Sequence, residues 1–400
     1  MSPPRLPRTV VVLGLVSLLN DLASEMIVPL IPILLATVLA AGPIALGAIE
    51  GVAEAIASFL KLWSGRRSDL LGGRRKGFAL GGYLLSNLAR PLIGLAASWL
   101  VVLILRSIDR VGKGLRSAPR DALVADVTAP HMKGYAYGFH RALDNGGAVA
   151  GGLVAAAVLA WAQLPLSQVI LLSAVPGLLA VALIGFGIHE PARATVPPPL
   201  PPLRWGALQP ALKRYLAALA VFAFARVSET FIVLRGHELG AGTVELLLLW
   251  SALNLAKAAT STTGGRWSDR LHRAVVLLIG WSAFALAFSM FALVETMQGL
   301  WIVTLFYGLC FGLGEGAERA AISEYADASA QGTAFGWYHL VLGLTAIPAG
   351  LLFGVLWAWQ SAAFAFFLAG GLAAAAALLL RLWAWPNVAE RSQREPSNRS

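Results

Sequence analysis

The sequence predicts an all-α membrane protein built from two similar bundles of six transmembrane helices each. Three observations lead to this prediction: an apolar composition, twelve long apolar stretches and an internal repeat. Hydrophobic residues make up 58% of the 400 residues and charged residues 13%, with a mean hydropathy of +0.71. A soluble domain carries about 25% charged residues, so this shortage of charge indicates repeated passage through a bilayer.

Twelve apolar stretches are long enough to cross a hydrocarbon core, which takes about 20 helical residues. They fall near residues 9–37, 44–64, 78–97, 99–117, 136–160, 166–188, 213–236, 243–263, 274–295, 299–316, 333–357 and 360–384. Helices are expected because lipid offers no hydrogen-bond partner to open strands or loops. The first stretch is too long for the apolar core of a signal peptide, so it is expected to be a retained span.

The second half of the chain repeats features of the first. Residues 65–69, Gly-Arg-Arg-Ser-Asp, return as 265–269, Gly-Arg-Trp-Ser-Asp, each after the second stretch of its half. Residues 189–212 contain seven prolines, and they are expected to form a stiff cytoplasmic linker. The predicted domains are therefore a six-helix bundle at 1–188 and another at 213–400 that ends in a short cytoplasmic tail. Two such parallel repeats are a common transporter architecture.

The distribution of Lys and Arg predicts which side of the membrane each loop faces. Basic residues concentrate in the loops after the even-numbered stretches and at both ends of the chain, whereas the other loops hold almost none except Arg235. Positively charged loops stay on the cytoplasmic side. Both termini are therefore expected in the cytoplasm, with the protein in the inner membrane. The same bias accounts for the net charge of +10 without nucleic acid.

Other classes of function find no support in the sequence. Cys310 is the single cysteine, so no disulfide framework or cysteine-based metal site is expected. Residues 112–114, Gly-Lys-Gly, lack the strand and the longer pattern of a phosphate-binding loop. The expected partners are a small-molecule substrate, protons and membrane lipids. No nucleic acid, cofactor, metal or enzymatic activity is expected, and the protein is expected to be a monomer.

The repeated block resembles the loop 2–3 signature of the major facilitator superfamily. Its residues in the two copies are Gly65, Asp69, Gly72, Arg74 and Arg75, and Gly265, Asp269 and Arg270. Glycine lets two helix ends approach closely, and an aspartate there can accept from helix N-terminal amides and pair with arginine. The resemblance implies a twelve-helix secondary transporter in which these residues form a cytoplasmic latch that opens when the protein turns inward.

The fifth stretch resembles a second signature of the superfamily, which is found mostly in antiporters. Its small residues are Gly138, Gly147, Gly151, Gly152, Ala155 and Ala156, with Gly152 where the family has a proline. Small residues four apart let helices pack backbone to backbone, and such packing alone is the alternative interpretation. The resemblance favours efflux over uptake.

Ionisable residues inside the predicted spans are the candidates for proton coupling and substrate binding, because each costs about 2.5–3.5 kcal/mol or more at bilayer depth. They are Asp21, Glu25, Glu54, Arg90, Arg106, Asp109, Arg110, His140, Arg141, Asp144, Arg226 and Glu229. Acids and fixed bases in the spans balance in number, which predicts internal ion pairs. The resemblance makes Arg106 the counterpart of an arginine that the superfamily often has in span four.

Asp21 and Glu25 are the strongest candidates for the carboxylate that binds a proton or substrate. They lie about 18 and 24 Å along the first helix at 1.5 Å per residue, near mid-membrane. Pro29 and Pro32 predict a bend just beyond them. Desolvation favours the protonated form of a carboxylate. The alternative is a structural ion pair with an arginine of span three or four.

Other charged residues also carry two interpretations. His140 and Asp144, one turn apart, either relay a proton or form a structural contact. Arg90 and Arg141 either bind an anionic group or act as counter-ions for the acids. Three charged residues near the cytoplasmic end of the tenth stretch are candidate gate or latch residues: Glu315, Glu318 and Arg319.

These features predict a secondary active transporter that moves a small organic molecule by alternating access, driven by protons, with efflux favoured. An anionic metabolite or a metal chelate such as a siderophore is the alternative substrate, favoured by the number of arginines in the spans. A membrane-embedded sensor or enzyme is the alternative outside transport. The more complete first copy of the repeat predicts that the N-terminal half carries most of the coupling chemistry.

The latch hypothesis predicts the effect of Asp69→Asn. Loss of the carboxylate should weaken the cytoplasmic contact and bias the protein toward an inward-open state. Single cysteines placed on each side of the membrane, reacted with a membrane-impermeant reagent, measure this bias. Unchanged accessibility on both sides would contradict the latch.

Overall fold

A computed structural model of the chain describes residues 6–70, 75–129, 133–188, 205–270, 273–325 and 331–384. In the first half the α-helices are α1 (Arg8–Glu25), α2 (Leu30–Thr37), α3 (Pro43–Leu70), α4 (Lys76–Leu92), α5 (Trp99–Val127), α6 (Lys133–Ala157), α7 (Leu166–Leu172) and α8 (Ala174–Gly187). In the second half they are α9 (Pro210–Ala225), α10 (Thr230–Glu238), α11 (Thr243–Arg270), α12 (Arg273–Ala292), α13 (Met297–Tyr325), α14 (Gln331–Trp359) and α15 (Ala362–Leu379).

Each of the twelve predicted stretches coincides with one helix or with two consecutive helices. Stretches one, six and seven are each divided between two helices, and the other nine each correspond to one. Among the described residues, eight helical segments are long and apolar enough to cross a bilayer, and the shorter segment 297–313 is also apolar. The all-helical multi-pass architecture is therefore confirmed, whereas the count of twelve membrane spans stays a prediction.

The first span bends where the prolines predict it. Helix α1 ends at Glu25, the chain turns through residues 26–29, and α2 begins at Leu30. Pro29 and Pro32 lack the backbone N–H groups that a continuous helix would need there. The seventh span breaks in the same way at residues 226–229, between α9 and α10, although no proline lies in that break.

The described helices belong to two compact units. Unit 1 comprises residues 1–200 with 229–255, and unit 2 comprises residues 201–228 with 256–400. One segment of the second half, α10 with the first part of α11, thus belongs to unit 1, where α10 packs against α2. The predicted bundles at 1–188 and 213–400 are a division of the sequence, and they stay a prediction.

Close helix packing in unit 1 depends on glycines. Gly147 and Gly151 of α6 lie directly against the backbone carbonyl oxygens of Leu18 and Leu22 in α1. A Cβ at either glycine would overlap the neighbouring backbone, so no larger residue fits without moving a helix. The small-residue pattern of the fifth stretch therefore has a packing role in this protein.

Unit 2 has an aromatic core. Phe284 and Phe288 of α12 stack at 4.2 Å, Tyr307 of α13 packs edge-on against both, and Phe366 of α15 contacts Phe288 at 5.7 Å. Aromatic pairs at such distances prefer offset-stacked or edge-to-face geometry. These rings join the helices of unit 2 across its interior.

The glycine packing predicts a difference between two neighbouring substitutions. Gly147→Ala places a methyl group against the Leu18 carbonyl, so it should destabilise the protein by about 1–3 kcal/mol, the usual cost of overpacking. Gly146→Ala is the matched control, because nothing lies within 4 Å of a Cβ there. Thermal unfolding of both variants in detergent measures the difference, and equal unfolding temperatures would contradict the packing role.

Candidate functional site

The centre of unit 1 contains a buried carboxylate held by three arginines. Arg90 Nε of α4 lies 2.7 Å from Asp109 Oδ1. Within α5, Arg106 Nη1 and Arg110 Nε lie 3.2 and 3.4 Å from Asp109 Oδ2. Asp109 is completely buried and the arginines are at most 8% exposed. A charge in such surroundings is tolerated only when it is paired and hydrogen-bonded, so these ion pairs hold α4 against α5.

Further polar contacts extend this cluster to α3 and α1. Glu50 of α3 lies 3.3 Å from Arg106 Nη2. Arg90 Nη1 donates to the Asn20 side chain of α1 at 3.1 Å and to the Asn87 side chain at 3.3 Å. The structure thus pairs the arginines of the third and fourth stretches with Asp109 and Glu50. These pairs account for much of the internal pairing that the sequence predicts.

Asp21 and Glu25 have a different environment. Both are half-buried, and in the described part of the chain neither forms an ion pair. The Asn20 side-chain amide donates to Asp21 Oδ1 at 2.9 Å. The Trp250 indole N–H, from α11, donates to Glu25 Oε2 at 2.8 Å. Neutral donors rather than arginines therefore hold both carboxylates.

Asp144 forms a third polar group, which joins α6 to α1. The Ser17 hydroxyl donates to Asp144 Oδ1, and Arg120 Nη1 donates to the Ser17 oxygen at 3.2 Å. Arg141 Nη1 lies 3.6 Å from Asp144 Oδ2. His140 Nδ1 lies 3.8 Å from the same oxygen, which is beyond hydrogen-bond distance. The structure therefore places His140 beside Asp144, as the spacing predicts, without a direct hydrogen bond.

Unit 2 brings together two residues that the sequence separates by 92 positions. Arg226, at the end of α9, donates from Nη1 to Glu318 Oε2 of α13 at 3.1 Å, and the Tyr338 hydroxyl donates to the same oxygen at 3.1 Å. Arg226 also lies over the Phe311 ring at 5.2 Å, and Lys257 lies over that ring at 4.9 Å. Glu318 is thus part of a polar group at the edge of the aromatic core.

The remaining predicted residues are placed outside these groups or outside the described side chains. Glu54 is exposed and accepts from Ser58 at 3.2 Å, while Glu229 precedes the first residue of α10. Gly65 of the latch packs near Ala118, and Arg75 pairs with Asp126 at 3.1 Å. The other latch residues lie outside the residues or side chains that the structure describes: Asp69, Gly72, Arg74, Gly265, Asp269 and Arg270.

Sequence reasoning missed the neutral partners of these charges. Trp250 and Ser17 are neither charged nor part of a repeated motif, so no pattern singles them out. Tyr338 lies 20 residues from its partner Glu318, on another helix. Asn20 immediately precedes Asp21 in the sequence, but an amide side chain carries no charge that would mark it as a partner.

Most of the chain matches a family model that describes the Major Facilitator Superfamily. The matches cover residues 13–235 and 215–399. The chain belongs to the Major Facilitator Superfamily. This match confirms the superfamily that the duplicated loop resembles, and superfamily membership implies secondary transport of small molecules across a membrane.

Relatives in this superfamily match over most of their length. The chain is 32% identical over 360 residues to an uncharacterized MFS-type transporter of Methanocaldococcus jannaschii, covering 88% of this chain and 89% of the relative. The structure of a D-xylose-proton symporter is 16% identical with a TM-score of 0.72, covering 95% of this chain and 97% of that one. The human organic anion transporter MFSD10 (TETRAN) is 19% identical with a TM-score of 0.67, over 93% and 99%. These two structures show the superfamily fold.

The arginine cluster predicts a large effect of Asp109→Asn on stability. The substitution leaves three buried arginines around a neutral side chain, and removal of one partner from a buried pair costs about 3–5 kcal/mol. Asp121→Asn, on the same helix with a side chain 53% exposed, is the control and should change stability by less than about 1 kcal/mol. Unfolding in detergent measures both. A similar stability for the two variants would show that the cluster is dispensable for folding.

Proposed function

We propose that this protein is a proton-coupled transporter of a small organic molecule and that Glu25 and Asp21 carry the proton. Alternating access exposes these carboxylates to one side of the membrane and then to the other. The observation that carries the proposal is their set of direct partners: in the described structure the Trp250 indole donates to Glu25 and the Asn20 amide donates to Asp21, and no described basic side chain lies within ion-pair distance of either carboxylate.

A fixed positive partner opposes protonation of a carboxylate, because the ion pair is lost when the charge is removed. Asp109, between Arg90 and Arg106, is therefore suited to a permanent structural charge. Glu25 differs, because an indole N–H donates to a protonated carboxyl as well as to a carboxylate. A proton can enter and leave Glu25 without leaving a buried arginine unpaired.

Asp144 and His140 fit a supporting role in this proposal. Asp144 accepts from Ser17, one helical turn before Asp21 in α1, and has Arg141 and His140 nearby. These contacts hold α6 against the helix that carries the coupling carboxylates. In this role Asp144 positions α1 and does not exchange a proton during transport.

We propose that the protein exports its substrate across the inner membrane. We also propose that both termini lie in the cytoplasm. The antiporter-like pattern of small residues in α6 supports efflux, and the basic loops support the placement. Membership of the superfamily favours transport over the roles of membrane-embedded sensor or enzyme.

An anionic metabolite or metal chelate is the second candidate substrate. The Asp109 cluster contains three buried arginines, Arg90, Arg106 and Arg110, which pair with Asp109 and Glu50. Arg116 is a further buried arginine, and it donates to the Ser86 hydroxyl at 2.6 Å. One of the similar structures is that of a human organic anion transporter, MFSD10. These observations favour an anion over a cation.

Glu25→Gln tests the coupling. The glutamine can still accept from Trp250 but binds no proton, so proton-driven accumulation should fall to background while substrate exchange without a gradient continues. Proteoliposomes with an imposed pH gradient measure uptake of ethidium, 2-naphthoate and ferric citrate, which represent a cation, an anion and a metal chelate. Asp21→Asn, measured in parallel, shows which of the two carboxylates is required.

Trp250→Phe is the matched control. It removes the hydrogen bond to Glu25 and keeps the carboxyl group, so gradient-driven accumulation should persist at a reduced rate. Undiminished accumulation in both Glu25→Gln and Asp21→Asn would refute proton coupling through α1. Failure of the wild-type protein to move any of the three probes would refute the proposed range of substrates.

A further inference from the structure

Unit 2 contains a cavity beside its aromatic core. It lies among α9, α12 and α13 and encloses about 450 Å³ of empty space, including its open mouth. Its walls are mainly aromatic, and Arg226 and Glu318 supply polar groups. A mostly apolar cleft with a few convergent polar groups is the usual form of a small-molecule site.

The apolar walls are suited to a flat ligand. Phe222 of α9 and Trp281 of α12 stack with ring centroids 4.4 Å apart and planes 6° apart. Phe284, Tyr307 and Phe311 complete the aromatic lining. Tyr307 packs on Phe284 at 5.6 Å, nearly perpendicular to it. These rings hold one another in place, so the cavity walls exist before any ligand arrives.

Trp281 contributes a hydrogen-bond donor without an acceptor. Its side chain lines the cavity and is 2% exposed, and its indole nitrogen has no hydrogen-bond partner in the described structure. An indole N–H can only donate, and buried donors in native proteins are nearly always satisfied. A ligand that fills the cavity would satisfy this group by presenting an acceptor atom.

The charges near the cavity also favour a ligand with acceptor atoms. Two positive side chains, Arg226 and Lys257, lie on the Phe311 ring, and Glu318 is the one negative partner among the described side chains there. Its Oε2 atom already accepts from both Arg226 and Tyr338. An anionic head placed near these two cations is attracted by them, whereas a cationic head is repelled by them.

We propose that this cavity binds a small organic anion with a flat apolar body and a carboxylate-like head. The body lies among the aromatic rings, and the head accepts from the Trp281 N–H near Arg226 and Lys257. The proposal takes the occupant of the cavity to be the transported substrate, and in that respect it rests on the proposed function. Binding itself is measured without a gradient and without transport.

Binding of 2-naphthoate to the purified full-length protein in detergent tests the proposal. Calorimetric titration should give saturable binding at least tenfold tighter than for 2-naphthylmethylammonium, which has a similar ring system and the opposite charge. Trp281→Phe keeps an aromatic ring and removes the donor, so Kd for 2-naphthoate should rise about tenfold. Trp359→Phe, also in unit 2 but with a side chain 77% exposed, should leave Kd unchanged.

A second variant covers the case in which Trp281→Phe does not fold. Lys257→Gln removes one of the two positive charges beside the Phe311 ring and keeps Trp281 and the Arg226–Glu318 pair in place, and it should reduce the preference for 2-naphthoate over the ammonium compound at least threefold. Three results would overturn the proposal: no saturable binding of 2-naphthoate to the wild type, equal binding of the ammonium compound, or a wild-type Kd in the folded Trp281→Phe protein.

The two proposals fail in different measurements. Wild-type uphill uptake by Glu25→Gln would refute proton coupling through that residue and leave the binding site in unit 2 intact. A wild-type Kd in Trp281→Phe would refute the binding site and leave the coupling role of Glu25 intact.

Discussion

The cost of placing charge in an apolar interior is the constraint on which the rest of this structure depends. Asp109 has no exposed surface, and three arginines surround it at 2.7 to 3.4 Å. Because the partners come from different helices, neutralising one carboxylate also holds α4 and α5 together, and Glu50 adds α3. Through Asn20, the same cluster reaches α1. The need to neutralise the buried Asp109 carboxylate thus also fixes the positions of these helices relative to one another.

This constraint also separates the acids of unit 1 into two kinds. Asp109 and Glu50 are bound to arginine, and a change in their charge would disturb several helices. Asp21 and Glu25 accept from neutral groups, so their protonation changes few contacts. In the proposed proton-coupled cycle, the first kind keeps the scaffold constant while the second responds to the proton gradient. In unit 2 a single described carboxylate, Glu318, serves two donors beside an aromatic cavity, which is suited to binding.

The sequence predicts local and charge-driven features well and long-range neutral contacts poorly. Hydropathy located every helix, and the prolines at 29 and 32 located the break after Glu25. The break at 226–229 has no such signal, because no proline lies within it. Trp250 lies 225 positions from Glu25, and an indole carries no charge that would mark it. The cavity in unit 2 was equally hidden, since its aromatic residues look like lipid-facing ones in a uniformly apolar sequence.

The packing of α1 determines where a protonation signal would travel. Leu18 and Leu22 lie against glycines of α6, which leave no room for the helix to shift on that side. Asn20 accepts from Arg90, which anchors another side of the same turn. The Glu25 carboxylate has one described hydrogen bond, and its donor, Trp250, belongs to the second half of the sequence. In the proposed proton-coupled cycle, gain or loss of a proton at Glu25 therefore acts first on α11, through the hydrogen bond from Trp250.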